Sequence, residues 1–410
     1  MRNFLANGLL DHLTRQGVEV LLVTPAALVS SFRAQYICPG VTIEDWQLLA
    51  QRSPTRIENY EFAVSQALGR RGYNRGQRIL WRRIGEPLAR RQAVHEKQRL
   101  AAWQPDVVVS THLSQLYGRN LVAAARGLGI PTVGNLLSWD NIWKGLRIRP
   151  DVITCWSEHT KQEICRLAGY RPEQVQVIGA PAFDAYFAPD AAWSRSQLCT
   201  AFNLDPDRPV LMFATLGQFK QQIDETNALE VLLRAIDAGE IPGRPQVVLR
   251  LHPWSKQAYF APFMDRPDVR ASGYKHYVPG LTWTPTREET IRAGNLLRHA
   301  DVIISPGSTM CIESAIFDTP TVIPVFNEYM PEVFDAYFER TWLRKHFSRL
   351  YKNDWVPVLR SGEEMIAGIN RALADPTWYQ EGRERIRQEF LGPLDGRATE
   401  RFAQTILDTC

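Results

Sequence analysis

No stretch of this chain approaches the roughly 18 consecutive apolar residues that a membrane-spanning helix requires, which sets integral membrane classes aside. Metal-type and disulfide-type cysteine patterns are missing too. The six cysteines, Cys38, Cys155, Cys165, Cys199, Cys311 and Cys410, form no CxxC pair and have no histidine at ligand spacing. Reduced, mostly buried thiols are therefore expected. Internal repeats and low-complexity tracts are also lacking. The opening run from Met1 to Asn7 is too polar for a signal peptide, so the cytoplasm is the expected compartment. Net charge is only +4 over 410 residues. What is present is ordinary globular composition, 45% hydrophobic and 22% charged, enough apolar residue to fill packed cores. A chain of this length exceeds one core, so two domains of about 200 residues each are expected.

The small net charge hides an asymmetry. Residues 51–100 hold twelve Arg and Lys against four Glu. A solvated helical surface explains such a bias, and so does a basic face drawn to a polyanionic acceptor or to anionic membrane lipid. Nucleic acid is not expected, because Tyr73 and Trp81 make no regular stacking platform among these arginines.

Periodicity then gives a βα rhythm. Helix is expected over residues 3–16, strand over 18–24, one or two long helices over 56–103, and strand over 106–110. The next strands are expected at 132–136, 152–156 and 175–178, with helices ending near Leu128 and Ala168. Residues 179–184, GAPAFD, mark the domain boundary. The second half repeats the pattern, with strands at 210–215, 247–251, 302–304 and 321–323, helices at 225–238 and 287–300, and two or three helical pieces over 361–409. A doubly wound domain usually begins with a strand, whereas here a helix comes first. Either an upstream start or a sheet beginning with what is normally its second strand accounts for that.

The stretch 301–324, DVIISPGSTMCIESAIFDTPTVIP, reads as strand, turn, helix, strand. A helix opening from a Gly-containing turn presents free N–H groups and a positive dipole end to an anion. Ser308 or Thr309 can cap that helix. Glu313, four residues after Thr309, shares its face and is placed to accept from ribose hydroxyls. Most strand-turn-helix units bind nothing, so the convergence of loops matters more than any one of them. Loops after 215, 251 and 304 leave the same ends of one parallel sheet. They bring Thr215, Gly217, Gln218, Lys220, Arg250, His252, Lys256, Ser305, Gly307, Ser308 and Thr309 as a set suited to a pyrophosphate. Asp205-Pro206-Asp207 has the spacing of a metal-binding acidic pair but lies in a turn before a strand, and is set aside.

The series VIGAPAFD at 177–184, RLHP at 250–253, and SPGST at 305–309 with Glu313 and Pro320 resembles bacterial glycosyltransferases of the GT-B type that build capsule, lipopolysaccharide and other surface glycans. It is also similar to CDP-glycerol glycerophosphotransferase-like and UDP-N-acetylglucosamine 2-epimerase-like proteins. The resemblance runs from about Asp106 to the C-terminus and is weak before that. It implies two Rossmann-like doubly wound α/β domains facing across a cleft. Residues 1–180 form the acceptor domain, 181–390 the donor domain, and 391–410 a helix returning to the first.

A nucleotide-sugar donor is implied, with the diphosphate on residues 307–309, the ribose on Glu313, and no cofactor or divalent metal. The acceptor hydroxyl needs a base, for which the N-terminal loops offer Asp140 ahead of His112. Lys144, Lys220, Arg250 and His252 are candidates to neutralise the departing diphosphate. Trp139, Asn141 and Lys144 are expected near the acceptor. The leading expectation is sugar transfer to a surface-glycan or lipid-linked acceptor, with peripheral inner-membrane contact through residues 52–99. CDP-glycerol transfer, UDP-N-acetylglucosamine 2-epimerisation and a non-catalytic lectin-like role are the alternatives.

Overall fold

The structure, a computed structural model, describes every residue except 1, 47–55, 57–59, 61–63, 65–74, 112, 114–116, 141, 143–145, 147–148, 217–223, 253–254, 256, 274–284 and 344–346. The chain divides into two compact units, one holding Met1–Asp184 and Glu389–Cys410, the other Ala185–Tyr277 and Thr282–Gln388.

In the first unit, β1 (Val20–Val23) pairs in parallel with β2 (Val41–Glu44). A separate four-stranded parallel sheet runs β3 (Val108–Ser110), β4 (Thr132–Asn135), β5 (Val152–Cys155), β6 (Val175–Val177) in that order. The period-two alternation of strand side chains sends Ile153 and Cys155 to one face, where Val122, Ile164 and Ala168 cover them. Val133 points the other way, into a cluster with Phe4, Leu9, Leu13, Phe402 and Ile406. The expected helix over 3–16 is two pieces, Arg2–Leu5 and Leu9–Thr14, because Gly8 adopts a left-handed backbone (φ +79°) that interrupts it. Of the expected long helices over 56–103, the segment Arg75–Trp103 is helical in four successive pieces; most of 47–74 lies outside the described residues. Among the described residues, no helix is long and apolar enough to cross a membrane.

The C-terminal helix Ala398–Leu407 belongs to this first unit, its Phe402 ring stacked on Phe4 at 4.1 Å. Two sequence features hold it there. Gly392 (φ +70°) lets the chain pass so close to β5's exit that a Cβ would sit 1.9 Å from the Trp156 carbonyl oxygen. Asp184 accepts the N–H groups of Ala398 (3.1 Å) and Thr399 (2.7 Å), satisfying two donors at the helix start. Left buried without that carboxylate, each N–H would cost about 1–3 kcal/mol. The segment 179–184, a boundary signal in the sequence, thus ends on a helix cap.

The second unit is built on one six-stranded, all-parallel sheet. Its strands are β7 (Val210–Ala214), β8 (Gln246–Arg250), β9 (Val269–Ser272), β10 (Val302–Ile304), β11 (Thr321–Pro324) and β12 (Val358–Leu359). Their spatial order is β12-β11-β10-β7-β8-β9, the doubly wound Rossmann order. Leu211, Phe213, Val247, Leu249, Val302 and Ile304 face a core closed by helices Thr226–Asp237 and Gly362–Ala374. Two strands and four α-helices described here were not expected from the sequence: β9, β12 and helices Arg195–Phe202, Gln257–Met264, Pro331–Phe338 and Ser348–Lys352. β9 (VRAS) and the two-residue β12 lie at the sheet edges and lack an apolar run, and Gln257–Met264 carries Pro262 inside the helix.

Candidate functional site

The connections from β7 lead to β8 on one side, while the chain re-enters beside β7 as β10. The carboxyl ends of β7 and β10 therefore form the switch point of the sheet, where open α/β proteins bind ligands. Register places Ile304 opposite Phe213, so the residues that follow, Ser305 and Ala214-Thr215, emerge side by side.

The turn at 305–309 is closely tied. Gly307 N–H donates to the Ser305 carbonyl oxygen (2.8 Å), and the Ser305 and Ser308 hydroxyls lie 2.9 Å apart. Ser308 Oγ accepts Met310 N–H (3.2 Å), so Ser308 rather than Thr309 caps the short helix Met310–Glu313. That helix tightens into a 3₁₀ turn, Ser314–Phe317. Only glycine fits at 307. Its φ is +111°, and a Cβ would meet Tyr337 Oη at 2.8 Å and Trp342 Cζ2 at 2.9 Å. Tyr337 Oη donates to the Pro306 carbonyl oxygen at 3.1 Å, and burial pushes its phenol pKa up. Trp342 is fully buried beside it. Two aromatic rings thus floor the turn.

Glu313, half-buried, sits one turn beyond Thr309, its N–H donating to the Thr309 carbonyl oxygen at 2.9 Å. Thr215 is buried, and its hydroxyl stitches two loops together: it accepts His252 N–H at 2.7 Å and lies 2.8 Å from Ser255 Oγ. Arg250 is held by the buried Glu289 and by Ser272 Oγ (3.0 Å), so its charge is already matched inside the unit. Expected as a counter-charge for diphosphate, it serves first as an ion-pair partner, since the carboxylate of Glu289 could not stay buried alone. Burial lowers the pKa of His252, which makes it a neutral imidazole at pH 7. Gly217, Gln218, Lys220 and Lys256 lie outside the described residues.

In the first unit, Trp139 and Asp140 follow β4 and are 4% and 7% exposed. The Trp139 ring packs edge-on to Phe390 at 5.1 Å. A ring so covered is part of the core and offers an acceptor little surface, in contrast to the sequence expectation. His112, Asn141 and Lys144 lie outside the described residues.

Sequence reasoning missed Glu225, Tyr337 and Trp342. Nothing in the run Asp224-Glu225-Thr226 signals which acid is inside. Asp224 caps the helix Thr226–Asp237, accepting Thr226 N–H (3.0 Å) and Oγ1–H (2.6 Å). Glu225 is 1% exposed, accepts Leu216 N–H at 2.7 Å through Oε2, and has no partner for Oε1 among the described residues. Burial, only partly offset by the Leu216 bond, pushes its carboxyl up to about 8. It is a neutral acid at pH 7 at the carboxyl end of β7.

The comparisons with known proteins follow the same lines. Residues 5–181 match the family model described as Glycosyltransferase Family 4. No curated protein matches the sequence. Among solved structures, the fold is similar to that of the S. aureus MnaA–UDP co-structure, at 13% identity over 100% of this chain and 94% of that one, with a TM-score of 0.57. It is similar also to UDP-GlcNAc 2-epimerase from Neisseria meningitidis bound to UDP-GlcNAc, at 12% identity over 99% and 97% of the two chains, with a TM-score of 0.57. The wall teichoic acid polymerase TagF matches at 14% identity over 74% and 72%, with a TM-score of 0.49, too low to support an inference. The fold likeness and the match over residues 5–181 together support a glycosyl-transferring enzyme with a GT-B-like fold. The resemblance read from 177–184, 250–253 and 305–309 pointed to that class.

Glu225 supplies a pH prediction. Its folded pKa of about 8 lies above the ordinary 4.5, so between those values the folded chain holds a proton that the unfolded chain releases. Its contribution to stability is full below about 4.5, falls as pH rises to about 8, and is flat beyond, a loss on the order of a few kcal/mol. Denaturant midpoints measured across that range should decline in the wild type, and the decline should be smaller in Glu225→Gln. Parallel curves for the two proteins would show that Glu225 is ionised in the fold.

Proposed function

We propose that the protein transfers a sugar from a nucleotide-sugar donor to a surface-glycan or lipid-linked acceptor at the cytoplasmic face of the membrane, without a bound divalent metal. The observation that supports this most is the match of residues 5–181 to glycosyltransferase family 4, in a chain whose other unit carries a glycine turn at a Rossmann switch point. In this reading the diphosphate rests on the N–H groups of 307–309 and Glu313 takes the ribose hydroxyls. Ser305, Ser308, Thr309 and His252, with Gly217, Gln218 and Lys220, complete the donor side, and Thr215 and Arg250 hold its loops.

Transfer forms a bond from the acceptor oxygen to the anomeric carbon and breaks the bond to the diphosphate oxygen. Asp140, ahead of His112, takes the acceptor proton; Asn141 and Lys144 are assigned to the acceptor. Because Arg250 is matched by Glu289 and His252 is neutral, the departing charge is met first by oriented N–H dipoles of the turn. Such dipoles need no reorganisation during the reaction.

A second reading, UDP-GlcNAc 2-epimerisation, draws on the fold likeness to the N. meningitidis epimerase over nearly the whole of both chains. It differs in needing no acceptor.

Peripheral membrane contact through residues 52–99 is part of the proposal. It is supported, within the described part, by exposed Arg83, Arg90 and Arg91 beside exposed Ile79, Ile84 and Val94.

Thermal stability against a panel of UDP-, GDP-, CMP- and dTDP-sugars should rise with one of them, and turnover should survive a chelator. Glu313→Ala should weaken that nucleotide at least about tenfold. Asp140→Ala should spare binding and lower turnover by about a hundredfold or more. Stabilisation by no nucleotide sugar contradicts the proposal, equal loss of binding in both variants contradicts the division of roles, and product formed without acceptor selects the epimerase reading. Co-sedimentation should favour anionic over neutral vesicles, and equal partition between them would contradict the membrane contact.

A further inference from the structure

The same sheet carries a second concavity at its opposite edge. A cavity of about 510 Å³ opens at the amino ends of β7, β10 and β11, beside Pro209, Asp301 and Pro320. It lies about one strand length, roughly 15 Å, from the carboxyl-end turn. Its volume is within the range of small-molecule sites. Its wall is mixed: prolines, alanines, Leu373 and Phe317 supply the apolar part, beside charged and amide side chains.

The charges on that wall are not alike. Asp301 accepts from Arg195 (2.8 Å) and from Val210 N–H (2.7 Å). Asp318 is taken by Arg383 (2.8 Å) and Gln380 (2.7 Å). Both carboxylates are therefore satisfied. Arg298 is the exception. It stacks on the Phe317 ring at 4.1 Å and, among the described residues, reaches only the Tyr186 carbonyl oxygen, at 3.4 Å, through Nη2. Its Nε is buried with no partner, and no carboxylate pairs with it among the described residues. By contrast, Arg195, Arg250, Arg266 and Arg383 of the same unit each face a carboxylate. Burial without a counter-charge lowers the Arg298 pKa, the mark of a cation that pays desolvation without an ion pair in return. Nearby, Asn370 donates to the Glu240 carbonyl oxygen (2.9 Å) while its own amide oxygen is buried with no partner among the described residues.

We propose that this cavity is a binding site for a small carboxylate on a flat apolar body, the carboxylate pairing with Arg298 and the body lying among Pro209, Pro320 and Leu373. A guanidinium presents parallel N–H donors that match a carboxylate. With both wall carboxylates already paired, one cation flanked by apolar side chains suits a single negative charge and is a poor match for a hydrated phosphate dianion. The site is separate from the turn at 305–309 and does not depend on the nucleotide reading.

The probes are benzoate and its neutral isostere benzamide, followed by ligand-observed NMR titration of the full chain. Benzoate should bind at least about tenfold more tightly than benzamide. Arg298→Gln should bring benzoate to the benzamide level, and Leu373→Trp, which fills the cavity without changing a charge, should weaken both. Equal binding of the two probes by the wild type overturns the proposal, as does benzoate binding unchanged in Arg298→Gln or in Leu373→Trp. The wild-type comparison and Leu373→Trp decide the matter even if Arg298→Gln does not fold.

Discussion

The constraint on which the second unit depends is the close approach of the 305–309 backbone to Tyr337 and Trp342. With no Cβ at Gly307, the turn lies directly on two buried rings, and the Tyr337 hydroxyl holds the Pro306 carbonyl. Ser305 and Ser308 fix the turn from within. The result is a rigid ledge of backbone at the point where the sheet's connections diverge. A ledge whose donors are already oriented suits an anion better than flexible side chains do, because little reorganisation accompanies binding.

The side chains around that ledge divide into those that hold and those left to bind. Thr215 ties the loops after β7 and β8, and Arg250 neutralises Glu289. Both looked like ligand contacts because hydroxyl and guanidinium groups at strand ends suit phosphate. Burial turns them inward. Glu225 shows the converse, an acid made neutral by burial so that the carboxyl end of β7 does not carry a second negative charge beside Asp224.

Much of the architecture was legible in the sequence because the strands of a parallel sheet are buried on both faces and read as short β-branched runs, as in Val302-Ile303-Ile304. The return of the last helix to the first unit was implied by the resemblance to GT-B enzymes, and Ala398–Leu407 is grouped with that unit. Edge strands such as β9 and β12 escaped, since among the described residues each pairs with a strand on one side only and the apolar signal fades. Around the candidate site, residues named for their chemistry, Ser305, Gly307, Ser308 and Glu313, do gather at one turn. Tyr337 and Trp342 were invisible because they reach that turn from a helical segment about thirty residues away, and spacing carries no trace of such packing. Trp139 misled for a related reason: a tryptophan in a polar loop looks exposed until Phe390 is found against it.

The proposed function stands or falls with a nucleotide diphosphate on the ledge at the carboxyl ends of β7 and β10. Backbone amide hydrogen exchange, with and without the nucleotide sugar that most stabilises the chain, addresses it at single-segment resolution. Slowed exchange concentrated in residues 305–313 is expected. Protection confined to the first unit, with exchange at 305–313 unchanged, would contradict it.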